Sequence, residues 1–156
     1  MSFENVKNYL KGFSLEEKVN LFSESTSTVE EAAKMHNCLP GQIAKSMSFW
    51  IKDTPIIIVA SGDSKINNQK FKALFNTKAK MIANEDVENI TGHPVGGVCP
   101  FLIPENIDIF LDISLKKYDI VIAACGSKNS TVILTLEELE KASKFKQWID
   151  VCQEKI

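Results

Sequence analysis

Two apolar runs of strand length, residues 44–51 and 56–60, are separated only by the turn Lys52-Asp53-Thr54-Pro55, which makes them a hairpin. Three shorter runs follow: 109–113, which alternates, 120–124, which is uniformly apolar, and 131–134. The helices that a strict strand-and-crossover repeat needs are missing from this half of the chain, so a doubly wound sheet is excluded. The expected fold is a single α/β domain of the α+β type, in which a mixed, curved or barrel-like sheet is surrounded by helices.

Helical periodicity fills the remaining segments. Phe3, Val6 and Leu10 share a face and Gly12 supplies a stop, giving a helix over 2–11, and 18–22 follows as a short strand. Ser27 with Glu30 forms a capping-box pattern that opens a helix to about His36, ahead of the Leu39-Pro40-Gly41 turn. Phe71, Leu74 and Phe75 give the next helix its apolar face, and another covers 84–90. Thr135 with Glu138 caps a last helix, expected to continue with a break to Trp148.

The 156 residues suit one domain spanning 1–156, with 44% hydrophobic and 24% charged residues, ordinary for a globule. No apolar run approaches the ~18 residues that cross a bilayer, and 1–12 reads as an amphipathic helix rather than a signal peptide. A cytoplasmic protein without a membrane partner is expected. Cys38, Cys99, Cys125 and Cys152 are too scattered for a zinc site, so free thiols, no metal and no cofactor are expected. The net charge of −2 exerts no global pull on nucleic acid. Locally, Lys65, Lys70, Lys72, Lys78 and Lys80 occur without an intervening acid, as either a phosphate-contacting patch or a solvated face.

Three segments carry possible chemistry. Alternation puts Lys45 on the face of Met47, Phe49 and Ile51, where it is either a snorkelling stem or a fixed positive charge in a cleft. The segment Thr91-Gly92-His93-Pro94-Val95-Gly96-Gly97-Val98-Cys99-Pro100-Phe101 is shaped by glycine and proline, which lets N–H groups be aimed at a carbonyl oxygen; a plain structural turn is the alternative. Ser61-Gly62-Asp63-Ser64 and Gly126-Ser127-Lys128-Asn129-Ser130 each follow an apolar run, and turn chemistry explains them as well as site chemistry does. His93 with Cys99 would allow a thiol hydrolase, although no helix N-terminus follows Cys99 to activate it. His36 reads as a surface or packing residue.

Ala44-Lys45-Ser46-Met47-Ser48-Phe49, Gly96-Gly97-Val98-Cys99-Pro100-Phe101 and Ala124-Cys125-Gly126-Ser127-Lys128-Asn129-Ser130 resemble, in that order, the signature segments of the YbaK/ProX-like deacylases. Ser27 to Ala33 and Ser61-Gly62-Asp63 extend the resemblance over nearly the whole chain. It implies a barrel-like mixed sheet and an aminoacyl-tRNA editing activity: a small non-cognate amino acid, often on the transfer RNA for proline, is removed by water attack on its ester. In such proteins the adenosine 2′-hydroxyl helps to activate the water. The resemblance makes Lys45 essential and gives the N–H groups of Gly97 and Val98 to the substrate carbonyl. Ser46, Gly62, Asp63, His93, Gly96, Cys99, Pro100, Phe101, Gly126, Ser127 and Asn129 are then candidate substrate contacts, and the five lysines candidate tRNA contacts. Free-standing members and domains inserted in prolyl-tRNA synthetases are both known, so the implied partners are the acceptor end of an aminoacyl-tRNA and, optionally, a synthetase.

The chain departs from its relatives in three places. Cys99 stands where many have serine, Leu102 where many have glycine, and Asn129 in a loop where some branches carry histidine. The amino acid removed is therefore not transferable from those branches. A catalytically silent tRNA- or synthetase-binding module and a Cys99 thiol hydrolase stay open on the sequence.

Overall fold

A computed structural model describes residues 2–155. In chain order the elements are α1 (Ser2–Lys11), β1 (Val19–Leu21), α2 (Val29–His36), β2 (Ile43–Ile51), β3 (Thr54–Ser61), β4 (Ser64–Ile66), α3 (Asn68–Phe75), β5 (Lys80–Met81), α4 (Asn84–Thr91), β6 (Asp108–Asp112), β7 (Ile120–Ala124), β8 (Ser130–Thr135), α5 (Leu136–Ser143), β9 (Gln147–Ile149) and β10 (Cys152–Glu154). The expected single α/β domain with a mixed sheet is what forms. Eight strands make one sheet in the order β1-β8-β7-β2-β3-β6-β9, with β5 also on β2, and β10 pairs with β4 separately. The β2–β3, β7–β8 and β1–β8 pairs are antiparallel, whereas β2–β7, β3–β6 and β6–β9 are parallel.

The β2–β3 hairpin is the centre of this ladder, paired from Ala44↔Ser61 to Ile51↔Thr54. Thr54 and Pro55 extend the second strand, so the turn shrinks to Lys52 and Asp53, with Lys52 at φ 56°. Strand β3 is apolar on both faces because both are covered. Ile57 and Val59 pack with Val6 and Leu10 of α1 and Leu139 of α5, while Ile58 and Ala60 pack with Phe71 of α3 and Phe110 of β6. Each such fully buried aliphatic side chain contributes roughly 1.5–3 kcal/mol. Helix α2 covers a third, smaller cluster through Ala32 and Ala33, packed on Ile43 and Ile122.

Local expectations fail in four places. The cap of α2 is Thr28, whose hydroxyl accepts from the Glu31 N–H while Glu31 returns a bond to the Thr28 N–H, one residue later than the Ser27–Glu30 pattern. Helix α5 stops at Ser143 because Lys144 turns left-handed at φ 52°, and 147–149 becomes β9, held by parallel pairing to β6. Leu74 lies 45% exposed, leaving Phe71 as the buried residue of α3. The two- and three-residue strands β4, β5 and β10 are too short to carry a periodicity.

Gly62 ties the end of β3 to α2. Its N–H donates to the Ile43 carbonyl at 2.7 Å, and an added Cβ would lie 2.3 Å from the Pro40 carbonyl oxygen and 2.7 Å from a Val29 methyl. Gly62→Ala is expected to cost about 1–3 kcal/mol, read as a thermal midpoint lower by roughly 3–10 °C.

Candidate active site

Strand β2 is paired on one edge along its length but on the other only at its ends. It meets β7 at Ile43 and Ala44, and β5 at Phe49 and Trp50. Residues 45–48 therefore face a break in the sheet, into which the Ile82 N–H donates to the Ser48 carbonyl at 3.1 Å. A cavity of about 220 Å³ occupies the break. Val29 and Ala32 of α2 wall one side, and Val87 of α4 with Val95, Gly96 and Val98 of the glycine loop wall the other.

Lys45 lines this cavity, between the cluster that α2 makes with Ile43 and the one that α3 makes with Phe49. Its ammonium donates to the Ser64 carbonyl. Burial lowers its pKa below the ordinary lysine value and Lys155 lowers it further, against a smaller opposing pull from Asp63 and Glu30.

The glycine loop reaches the cavity at Val95, Gly96 and Val98 but not at Gly97. The Gly97 N–H closes a turn on the Pro94 carbonyl at 2.9 Å, so it is not the free donor that the sequence implied. Gly97 has a packing role, since an added Cβ would sit 2.6 Å from the Ser127 backbone nitrogen, and its carbonyl accepts the Gly126 N–H at 3.1 Å. No acceptor among the described residues takes the Val98 N–H.

The second loop supports the first from behind. Ser127 Oγ bonds Asn129 Oδ1 at 3.0 Å and Ser130 Oγ at 2.6 Å, and Asn129 Nδ2 donates to the Phe22 carbonyl at 2.7 Å. Gly126, at φ 87°, lies against the Ser2 backbone. Gly126, Ser127 and Asn129 thus lie outside the cavity wall, fixing the approach of residues 22–28.

The remaining candidates also lie off the cavity. Gly62 stands behind Val29, while Asp63 pairs with Lys117 at 2.9 Å and accepts from Ser61, which together hold its carboxyl below the usual range despite partial burial. His93 is 1% exposed, with Ser2 Oγ 2.6 Å from Nδ1 and the Phe101 carbonyl 2.7 Å from Nε2. Burial lowers its pKa, so it is neutral, with Nε2–H donating to Phe101 and Nδ1 accepting from Ser2. Cys99 Sγ lies 3.5 Å from that already protonated nitrogen. Its thiol and the Phe101 ring are wholly buried, and Pro100 is buried beside them.

Of the five lysines, Lys70 is committed to Asp150 at 3.0 Å, whereas Lys65, Lys72, Lys78 and Lys80 are exposed without a salt bridge among the described residues. Sequence reasoning passed over Thr131, which lines the cavity and meets His36 Nε2 at 2.8 Å, and Ser48, Met81 and Asn84. Thr131 and Ser48 had a legible signal, a small polar residue alternating into an apolar strand. Met81 and Asn84 had none. No cluster of three or more His, Cys, Asp or Glu stands ready to hold a metal ion among the described residues, and no helix is long and apolar enough to cross a membrane.

Burial pushes the Cys99 thiol far above its ordinary value, and no imidazole is free to deprotonate it. Native protein is expected to leave Cys99 unalkylated by iodoacetamide at pH 8 over hours, with labelling only after denaturation, as mass spectrometry of peptides will read.

Residues 23–142 match the model of the aminoacyl-tRNA editing domain. The chain is 43% identical over 155 residues to the uncharacterized protein YwhH of Bacillus subtilis, covering 99% of both. It is 24% identical over 124 residues to a proline–tRNA ligase of Bacillus cytotoxicus, of which the match is only 22%. A crystal structure named "putative trans-editing enzyme for prolyl tRNA synthetase" superposes with a TM-score of 0.86 at 27% identity over 97% of each chain. Fold, signature segments and the match over most of its length agree: the chain belongs to the aminoacyl-tRNA editing domain family.

Proposed function

We propose that the chain is a trans-editing hydrolase that releases a small non-cognate amino acid from the 3′ adenosine of a transfer RNA, the proline carrier being the expected one. The observation that carries this reading is the cavity in the β2 edge, lined by Lys45 and by Val98, whose N–H has no acceptor among the described residues, with no carboxylate, imidazole or thiol among its lining residues. A site without a side-chain nucleophile or base suits attack by water with help from the substrate's own 2′-hydroxyl. The Val98 N–H is the donor to the developing oxyanion, a contact typically worth ~3 kcal/mol in the transition state, and Gly97 sets the loop that aims it. Likeness to part of several proline–tRNA ligases supports the choice of carrier.

The test is release of free amino acid from a panel of mischarged transfer RNAs. A silent tRNA- or synthetase-binding module would bind the panel without turnover. Lys45→Ala is expected to slow release by at least ~100-fold, the scale of losing a positioned electrostatic group, with the thermal midpoint nearly unchanged. Lys45→Arg is expected to be impaired as well, because a planar fork replaces a compact ammonium. Normal turnover in Lys45→Ala would remove this residue from the mechanism.

Exposed lysines are the proposed contacts to the RNA backbone. Lys72, Lys78 and Lys80 changed together to Gln are expected to weaken association and flatten its salt dependence by roughly one logarithmic unit of slope per lost phosphate contact. Lys70→Gln, which breaks a pair with Asp150, is expected to change the slope least.

A further inference from the structure

Backbone groups of successive strand residues turn to opposite edges. In β2 the Ile43 carbonyl accepts the Gly62 N–H on the β3 side, and the Ser48 carbonyl accepts the Ile82 N–H on the other. The even-numbered residues of β2 therefore turn their N–H and C=O to the broken edge, and Ser46 stands in the middle of the break. Pairing with β7 ends at Ala44 and pairing with β5 starts at Phe49, so no strand faces Ser46 there. No turn or loop backbone group among the described residues bonds its N–H or carbonyl from that side either. Ser46 lines the cavity and is only half-buried, yet its Oγ has almost no accessible surface, so the surface it shows is backbone and Cβ. An unpaired donor and acceptor on one residue of a sheet edge are what a further strand residue would bind.

We infer that the aminoacyl group docks on the Ser46 backbone as a one-residue antiparallel strand: its α-amino group donates to the Ser46 carbonyl, and its ester carbonyl accepts the Ser46 N–H. The inference rests on the deacylase reading above and names what holds the part of the ester that every amino acid shares. Directly opposed residues of an antiparallel pair exchange both bonds, and an aminoacyl ester carries a nitrogen donor and a carbonyl on either side of one Cα, as a strand residue does. With no carboxylate in the lining, the amine has to be taken by a neutral oxygen, and the Ser46 carbonyl is the one that the strand aims at the break. The Ser46 N–H serves with the Val98 N–H as a second donor to the carbonyl oxygen on which charge develops. Neither bond involves the substrate's side chain, so the docking separates aminoacyl from plain acyl esters rather than one amino acid from another.

The experiment loads one transfer RNA for proline with alanine, lactate or propionate, acids that differ only in the amine, hydroxyl or hydrogen on Cα. Single-turnover release is measured for the wild-type chain, Ser46→Pro and Asn84→Ala, each rate being divided by that of the same ester without protein, because an α-ammonium also speeds spontaneous hydrolysis. In the wild type the lactyl ester, which keeps a donor, is expected within about fivefold of the alanyl ester, and the propionyl ester, which has none, at least about tenfold below it. Ser46→Pro removes the N–H aimed at the break and no ladder bond to β3, so its alanyl release is expected to fall by about 100-fold or more with a native circular dichroism spectrum. Asn84→Ala removes the side-chain amide of the lining and is expected to keep the alanyl-to-propionyl ratio. Corrected propionyl release as fast as alanyl release would overturn the inference while leaving the deacylase reading intact, and so would normal alanyl release by folded Ser46→Pro. A ratio that collapses in Asn84→Ala would overturn it as well, by moving the amine to that amide. Should Ser46→Pro not fold, the three esters on the wild-type chain decide. No release from any of the three would remove the deacylase reading for this carrier, and this inference with it.

Discussion

Everything at the site depends on the one-sided pairing of β2. A strand inside a sheet normally satisfies its N–H and C=O groups on both edges, because an unpaired buried backbone group is nearly as costly as a lost hydrogen bond. Here one edge is paired from Ala44 to Ile51, and the other is released after Ala44 and recovered at Phe49. The break persists because β5 is only two residues long and the chain enters α4 at Asn84, so no strand extends alongside residues 45–48. Helix α2 and the glycine loop close over the two faces without filling the break. The polar backbone left there needs a solvent or a ligand, which makes the cavity a property of the topology.

Contacts that only glycine permits hold the wall in place. Gly97 lies against the backbone of Ser127, Gly126 against that of Ser2, and Gly96, at φ 90°, against the Ser27 side chain. Three segments distant in sequence thus meet at backbone distance, and His93 adds a fourth tie by bonding Ser2 and the Phe101 carbonyl together. Leu102, which ends this region, sits at φ 56°. That conformation is costly for a residue with a Cβ, and it explains why a glycine suits this position in the relatives that carry one.

The hairpin, the α1 face and the absence of a doubly wound order were legible because each rests on a period of several residues. What was not legible arose from pairing at a distance. Residues 147–149 carry no strand signal of their own and become β9 only because β6 offers an edge, and Lys144 had to leave the helical region first. At the site, strand alternation left Lys45 as either a snorkelling stem or a charge in a cleft, the signature segment singled it out together with Ser46, and both line the cavity. The loop motifs marked a region but not its geometry. They put Cys99, Phe101 and Asn129 on an equal footing with Gly96, whereas the fold leaves those three off the cavity wall. Which N–H of the loop is spent on a turn and which is free is a matter of dihedral angles, and these no residue type announces.

Lys45 shows how residues off the cavity wall govern the chemistry. A buried lysine is commonly silenced by a carboxylate, and Asp63, two residues beyond Ser61 of the neighbouring strand, is the candidate. Asp63 instead gives its charge to Lys117, in a bidentate contact at 2.9 and 3.0 Å, and Lys45 is left with the neutral carbonyl of Ser64. Nearby Cys152 is neutral too, its thiol pushed up to about 12, chiefly by burial and then by Asp112. The ammonium is therefore compensated only in part, by Asp63 and Glu30, in surroundings where a charge acts more strongly than in water. Desolvation makes that cation costly when the cavity is empty, which is the condition under which a negative charge developing on a bound ester is stabilised most. In the proposed reaction the Asp63–Lys117 pair thus acts without touching the substrate, because a carboxylate already paired with Lys117 offsets the Lys45 charge only in part.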